Sequence, residues 1–110
     1  MPAIATLEAL RAFVAARDWD QFHTPENLAK SIAIEASELL ECYQWSNEPE
    51  QERVEDELAD VVTYCIHLAN RLGVDLDEIV MKKLAKADQK YPIALAKGRA
   101  TKYTELAEER

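Results

Sequence analysis

An all-α fold is what this 110-residue sequence predicts, and three observations predict it. Apolar residues recur at helical spacing nearly throughout, and no stretch sustains period-two alternation. Only two glycines occur, too few for a turn-rich β architecture or a Gly-rich phosphate loop. The length makes the chain a single domain, residues 1–110, resembling a four-helix bundle. An active site in such a chain lies between helices or between subunits.

The elements follow from their punctuation. The first helix is expected from about Ile4 to Arg17, ending before Asp18-Trp19-Asp20-Gln21-Phe22-His23, where polar and aromatic residues mix without a period. Thr24-Pro25-Glu26 reads as an N-cap, a proline at the first helical position and an acid where the helix dipole favours it. That second helix is expected to reach about Trp45, before the break Ser46-Asn47-Glu48-Pro49. A third helix should run from about Glu50 to Leu72, with Gly73 stopping it in a left-handed conformation. Asp75 opens the fourth helix, with Glu78 as the reciprocal partner of a capping box. Pro92, lacking a donor and clashing with the preceding turn, ends or kinks it near Tyr91. From Ile93 to Arg110 a short helical segment and a polar tail are expected.

Composition narrows the function. Hydrophobic residues make up 48 % and charged residues 31 %, a globular balance. The longest apolar stretch, Val61 to Ala69, falls well short of the roughly 20 residues of a membrane span, and the N-terminus has no basic lead of a signal peptide. No membrane association is expected, and a cytoplasmic location is. Cys42 and Cys65 lack C-x-x-C spacing and are read as reduced, half-buried helix residues. The net charge is −8, which argues against a polynucleotide partner, because phosphate backbones demand a basic surface. Between Glu35 and Asp60 stand ten carboxylates and one base, Arg53; between Lys82 and Lys102 stand seven bases and one acid, Asp88. A cation and an anion could share one site if the fold joins these regions. A solvated helix face is the plainer meaning of either run.

On the second helix Leu28, Ile32, Ala36, Leu39 and Tyr43 form an apolar stripe with Glu35 and Glu38 at its edge. On the third, Val54, Leu58, Val61, Cys65, Ala69 and Leu72 form the stripe, edged by Glu57, Asp60 and Tyr64. Antiparallel packing through these stripes brings Glu35-x-x-Glu38 towards Glu57-x-x-Asp60. Each like-charged pair at about 4 Å costs roughly 1 kcal/mol in water and about 4 kcal/mol at an effective dielectric near 20. Local bases do not relieve this: none lies within four residues of Glu38, and Glu57 has only Arg53. An all-oxygen cluster suits a hard divalent ion, Mg²⁺ or alternatively Mn²⁺. A di-iron site is improbable, since no Glu-x-x-His occurs.

These residues resemble a known family, the all-α nucleoside triphosphate pyrophosphohydrolases of the MazG-like superfamily, and most of all the small dCTP pyrophosphatase branch. The family's Glu-x-x-Glu and Glu-x-x-Asp are matched by Glu35-Ala36-Ser37-Glu38 and Glu57-Leu58-Ala59-Asp60. Arg17-Asp18-Trp19-Asp20-Gln21-Phe22-His23, Glu41-Cys42-Tyr43-Gln44-Trp45, Lys90-Tyr91-Pro92 and Lys102-Tyr103 resemble further blocks, so the likeness spans roughly residues 5 to 105. Two departures stand out: Ile34 precedes Glu35 where many relatives double the Glu, and Ala87 stands where relatives often carry a substrate-contacting Asn.

The resemblance implies hydrolysis between the α and β phosphates to a nucleoside monophosphate and pyrophosphate. It implies that Glu35, Glu38, Glu57 and Asp60 bind Mg²⁺, one of them also taking a proton from the attacking water. Divalent cations are what allow an acidic site to hold a triphosphate. Lys83, Lys90 and Lys102 are candidate phosphate donors. Trp19, Phe22, His23 and Trp45 are candidates to frame the base by stacking and edge hydrogen bonds. Tyr64 resembles a family position near the sugar, where its ring would disfavour a 2′-hydroxyl; His67 is read as structural. A homodimer or homotetramer is the assembly the family implies. The expected role is clearing or balancing dNTPs, with dCTP as substrate. The alternatives are a relative specific for dUTP or phosphoribosyl-ATP, or a non-catalytic helical interaction module.

Overall fold

The computed structural model describes residues 3–100 and 104–105. Its elements are α1 (Ile4–Ala16), a 3₁₀ turn (Asp20–Phe22), α2 (Pro25–Glu41), α3 (Gln51–Leu72), α4 (Leu76–Lys90) and the short α5 (Ile93–Ala96). No strand occurs among the described residues, and no helix there is long and apolar enough to cross a membrane. The chain divides into two compact units, one reaching to Asp75 and one beginning at Leu76. The first holds α1, α2 and α3, and the principal helix contact of the chain is α2 against α3.

Two helices of this unit end alike. Asp18 takes a left-handed conformation at φ 53°. Its N–H donates to the Ala15 carbonyl at 3.1 Å, and the Trp19 N–H donates to the Val14 carbonyl at 3.1 Å. This paired closure satisfies two otherwise orphaned carbonyls and folds Trp19 back over the last turn of α1. Gly73, at φ 67°, closes α3 in the same way, with Gly73 N–H bonded to Asn70 and Val74 N–H to Ala69. Asp is among the few non-glycine residues that adopt this conformation readily.

The cap expected at Thr24 is present: its Oγ1 accepts from the Asn27 N–H at 3.2 Å, and Pro25 opens α2. Thr24→Ala is expected to lower stability by about 1 kcal/mol, read as a lower urea midpoint at unchanged slope.

Element ends depart from expectation in one place that matters. α2 stops at Glu41 rather than near Trp45, because the backbone tightens into i to i−3 bonds from Cys42, Tyr43 and Gln44 to Leu39, Leu40 and Glu41. Trp45 therefore lies beyond the helix and is 90 % exposed. Pro92 separates α4 from α5 as expected, whereas most of the expected polar tail lies outside the described residues.

The inward faces are also rotated from the expected stripes. On α2, Leu28 is fully buried and Ile32 and Leu39 are half-buried, but Ala36 and Tyr43 are exposed, and Cys42 is buried instead. On α3, Ile66 and Ala69 are buried and Val54, Val61 and Cys65 half-buried, while Leu58 and Leu72 face outward. Glu57 takes the half-buried place that the stripe assigned to Leu58, which is 49 % exposed. Glu57 thus reaches further into the α2 interface than an edge position would allow, while Asp60 stays exposed at its rim.

Candidate active site

Helical spacing builds the site. Glu35 and Glu38 stand one turn apart on α2, and Glu57 and Asp60 one turn apart on α3. Packing of α2 on α3 brings carboxylate oxygens of Glu35, Glu57 and Asp60 within 4.8 Å of one another. Glu38 lies within hydrogen-bonding reach of both Glu35 and Glu57. Oε2 of Glu35 and Oε2 of Glu57 are shut from solvent without a hydrogen-bond partner.

The electrostatics follow from that crowding. The hydrogen bond to Glu38, then burial, then repulsion from Glu38, Asp60 and Glu57 push the Glu35 carboxyl up to about 7. Burial first, then repulsion from Glu38, pushes Glu57 upward as well, against a weaker opposing pull from Arg53. Buried, unpartnered carboxylate oxygens converging on one point are costly unless protonated or bound to a cation. An all-oxygen donor set of this kind fits a hard divalent metal.

A pH dependence follows. Between the ordinary carboxylate range and about 7, the folded protein retains on Glu35 a proton that the unfolded chain has released. Stability of the metal-free protein therefore falls as pH rises through this window. A higher Tm at pH 6 than at pH 8 in the presence of a chelator is expected, with a flatter profile for Glu35→Gln.

Beside the carboxylates, a cleft of about 330 Å³ is lined by Leu10, Phe13, Val14, Trp19, His23, Asp60, Thr63, Tyr64 and His67. Trp19 meets Phe13 edge to face at 5.6 Å between ring centres, and the Arg17 guanidinium lies 3.7 Å above the Phe13 ring. His67 contacts His23 at 4.9 Å and Tyr64 at 6.0 Å between ring centres. Burial, and secondarily His23, push the His67 imidazole down, leaving it neutral at pH 7.

Of the aromatic residues singled out in the sequence, the structure brings Trp19, His23 and Tyr64 into this cleft with Asp60. Phe22 and Trp45 are not among the lining residues: Phe22 is 59 % exposed, its carbonyl accepting from Asn27 Nδ2 at 3.0 Å, and Trp45 sits past the end of α2. Lys83 and Lys90 belong to α4 in the second unit, exposed and half-buried respectively, and Lys102 lies outside the described residues. Phe13 and His67 are lining residues that sequence reasoning missed. The seven-residue spacing from Asp60 to His67, two helical turns on the side of Tyr64, was the available signal.

Residues 30–106 match the MazG-like family, and the chain belongs to it. Within that family the chain is a nucleoside triphosphate pyrophosphohydrolase, similar to the dCTP pyrophosphatase branch. It is 40 % identical to dCTP pyrophosphatase 1 of Mus musculus over 116 residues, which cover 96 % of this chain and 68 % of the mouse protein. Identity to dCTP pyrophosphatase 1 of Homo sapiens is 39 %, over the same shares of the two chains. The crystal structure of a pyrophosphatase from Archaeoglobus fulgidus superposes with a TM-score of 0.73 at 39 % identity, covering 80 % of this chain and 90 % of that one.

Proposed function

We propose that the whole chain acts as one cytoplasmic domain that hydrolyses dCTP, and other dNTPs more slowly, to the monophosphate and pyrophosphate with Mg²⁺. The observation that carries this reading is the carboxylate cluster of Glu35, Glu57 and Asp60 opening beside a cleft framed by Trp19, His23 and Tyr64. Glu35, Glu57 and Asp60 would hold Mg²⁺, with Glu38 orienting Glu35 and Glu57 through its hydrogen bonds. When bound, the ion neutralises charge on the triphosphate and favours attack of water at the α phosphorus.

The chain's own groups do the rest. Glu35 and Glu38, one turn apart and within hydrogen-bonding reach of each other, form the carboxyl pair that accepts the proton of the attacking water. Trp19 offers a stacking face to the base, and Tyr64 stands between Asp60 and the base end, where a ring leaves little room for a 2′-hydroxyl. Lys83, Lys90 and Lys102 remain candidate phosphate donors by their charge alone. Leu58 and Val62, apolar and exposed one turn apart on α3, support assembly into a homodimer or homotetramer.

Purified protein incubated with dCTP and Mg²⁺ should release dCMP and pyrophosphate. Folded protein that yields no product from any of the four dNTPs, with Mg²⁺ or Mn²⁺ present, would defeat the proposal.

A further inference from the structure

We propose that His23 and His67 form a second metal site, which takes the borderline transition ion Zn²⁺ rather than the hard ion of the carboxylates, and that Zn²⁺ bound there inhibits the enzyme. The site stands on its own geometry; its effect on turnover rests on the pyrophosphohydrolase reading above.

The two imidazoles are 4.9 Å apart between ring centres and tilted by 48°, so they do not stack face to face. Two imidazoles that each bind one tetrahedral Zn²⁺ through a single nitrogen, at about 2.0–2.1 Å, have ring centres about 5 Å apart. Among the described residues, no side chain or backbone group hydrogen-bonds to either ring; their partners are each other and Tyr64. Both rings line the cleft of about 330 Å³ and a second cavity of about 450 Å³, where water can complete a coordination shell.

The pair is held in place before any ion arrives. The His23 N–H donates to the Asp20 carbonyl at 3.1 Å, and Thr24, the next residue, caps α2. Arg71, one turn beyond His67 on α3, lies 3.7 Å from the Asp20 carboxylate and ties the 3₁₀ turn to that helix. Little ordering is then left for the ion to impose. Burial keeps the His67 imidazole neutral, the form that binds metals, so at pH 7 the ion displaces no proton from it.

Donor chemistry separates this site from the first. Carboxylate oxygens suit Mg²⁺, whereas imidazole nitrogens suit Zn²⁺, and neither histidine belongs to the group of donors converging at Glu35, Glu57 and Asp60. The consequence for turnover follows from the shared cleft. His23 and His67 line it together with Trp19 and Tyr64. A hydrated ion between the imidazoles fills space that the nucleoside needs and engages the ring that would meet the base, so Zn²⁺ opposes substrate while Mg²⁺ supports it.

The chain has only two histidines, so the imidazole nitrogen signals in an NMR spectrum report on this pair alone. With Mg²⁺ in excess, added Zn²⁺ should shift the ring nitrogens of both histidines together. In His67→Gln the His23 signals should respond only at a Zn²⁺ concentration about 10-fold or more higher. Losing a group that merely hydrogen-bonds to a metal ligand already costs about 10- to 100-fold in affinity. His23→Gln should weaken the His67 response in the same way, and circular dichroism checks that each variant is folded. In kinetics with Mg²⁺, Zn²⁺ should raise the apparent KM for dCTP in the wild type, and His67→Gln should need about 10-fold or more Zn²⁺ for the same proportional rise. Zn²⁺ that merely displaced Mg²⁺ from the carboxylates would inhibit wild type and variant alike, and that result would overturn the inference. So would imidazole signals that ignore Zn²⁺, or a His23 response unaltered by His67→Gln. A folded wild type inactive on every dNTP, yet showing the paired imidazole shifts, would remove the pyrophosphohydrolase reading and the inhibitory role while leaving the metal site standing.

Discussion

Glu38→Gln should lower dNTP turnover by about 100-fold or more while leaving the helical content of the protein unchanged. Glu38 lies within hydrogen-bonding reach of both Glu35 and Glu57 and pushes both carboxyls upward, and the Oε2 atoms of those two stand unpartnered and buried. The amide matches the carboxylate in shape but cannot accept a proton, and its NH₂ donates where an anionic partner is needed. Losses of about 100- to 10,000-fold accompany removal of a positioned proton acceptor. The same change deletes one of four crowded negative charges. The metal-free variant should therefore melt above the metal-free wild type, an outcome opposite in sign to its effect on activity. Initial-rate kinetics and paired melting curves in a chelator check both halves. Unchanged turnover would take Glu38 out of the site.

Chelation should abolish activity, and readdition of Mg²⁺ or Mn²⁺ should restore it and raise the Tm. A ligand present at about 100 times its Kd stabilises the folded state by about 2.7 kcal/mol. For a domain near this size each kcal/mol moves Tm by about 4–8 °C, so a rise on the order of 10 °C is expected. The increment should shrink as pH falls below about 7, because Glu35 then holds a proton that a cation must displace. Asp60→Asn should lose most of the increment. A Tm indifferent to both ions at pH 8 would contradict a divalent site at these carboxylates.

Much of the architecture was legible because it is written in local chemistry. Thr24-Pro25 starts a helix, Gly73 stops one, and Pro92 interrupts one, whatever the tertiary context. The convergence of the two acidic pairs was legible for a similar reason: residues three apart share a helix side, and a short connection forces neighbouring helices together. What could not be read was the absolute rotation of each helix. Helical periodicity orders residues around an axis but does not say which side turns inward, and on α3 Glu57 rather than Leu58 turned in. Phe22 and Trp45 were grouped with the cleft by type. Their placement depends on a 3₁₀ turn and on tightening at the end of α2, which involve only a few backbone hydrogen bonds. Asp18 shows the converse: nothing in its identity demands a left-handed backbone, yet that conformation is what returns Trp19 to the cleft.

The free thiol of Cys42 is 5 % exposed, and its Sγ lies 3.6 Å from the carbonyl of Glu38, to which it donates. Alkylating reagents reach such a sulfur only when the surrounding backbone opens. Cys42 is thus a native reporter of fraying where α2 terminates, four residues past an acidic side chain of the cluster. An ion clasped by that cluster would slow its labelling, so the chain carries its own clock for occupancy without any introduced dye.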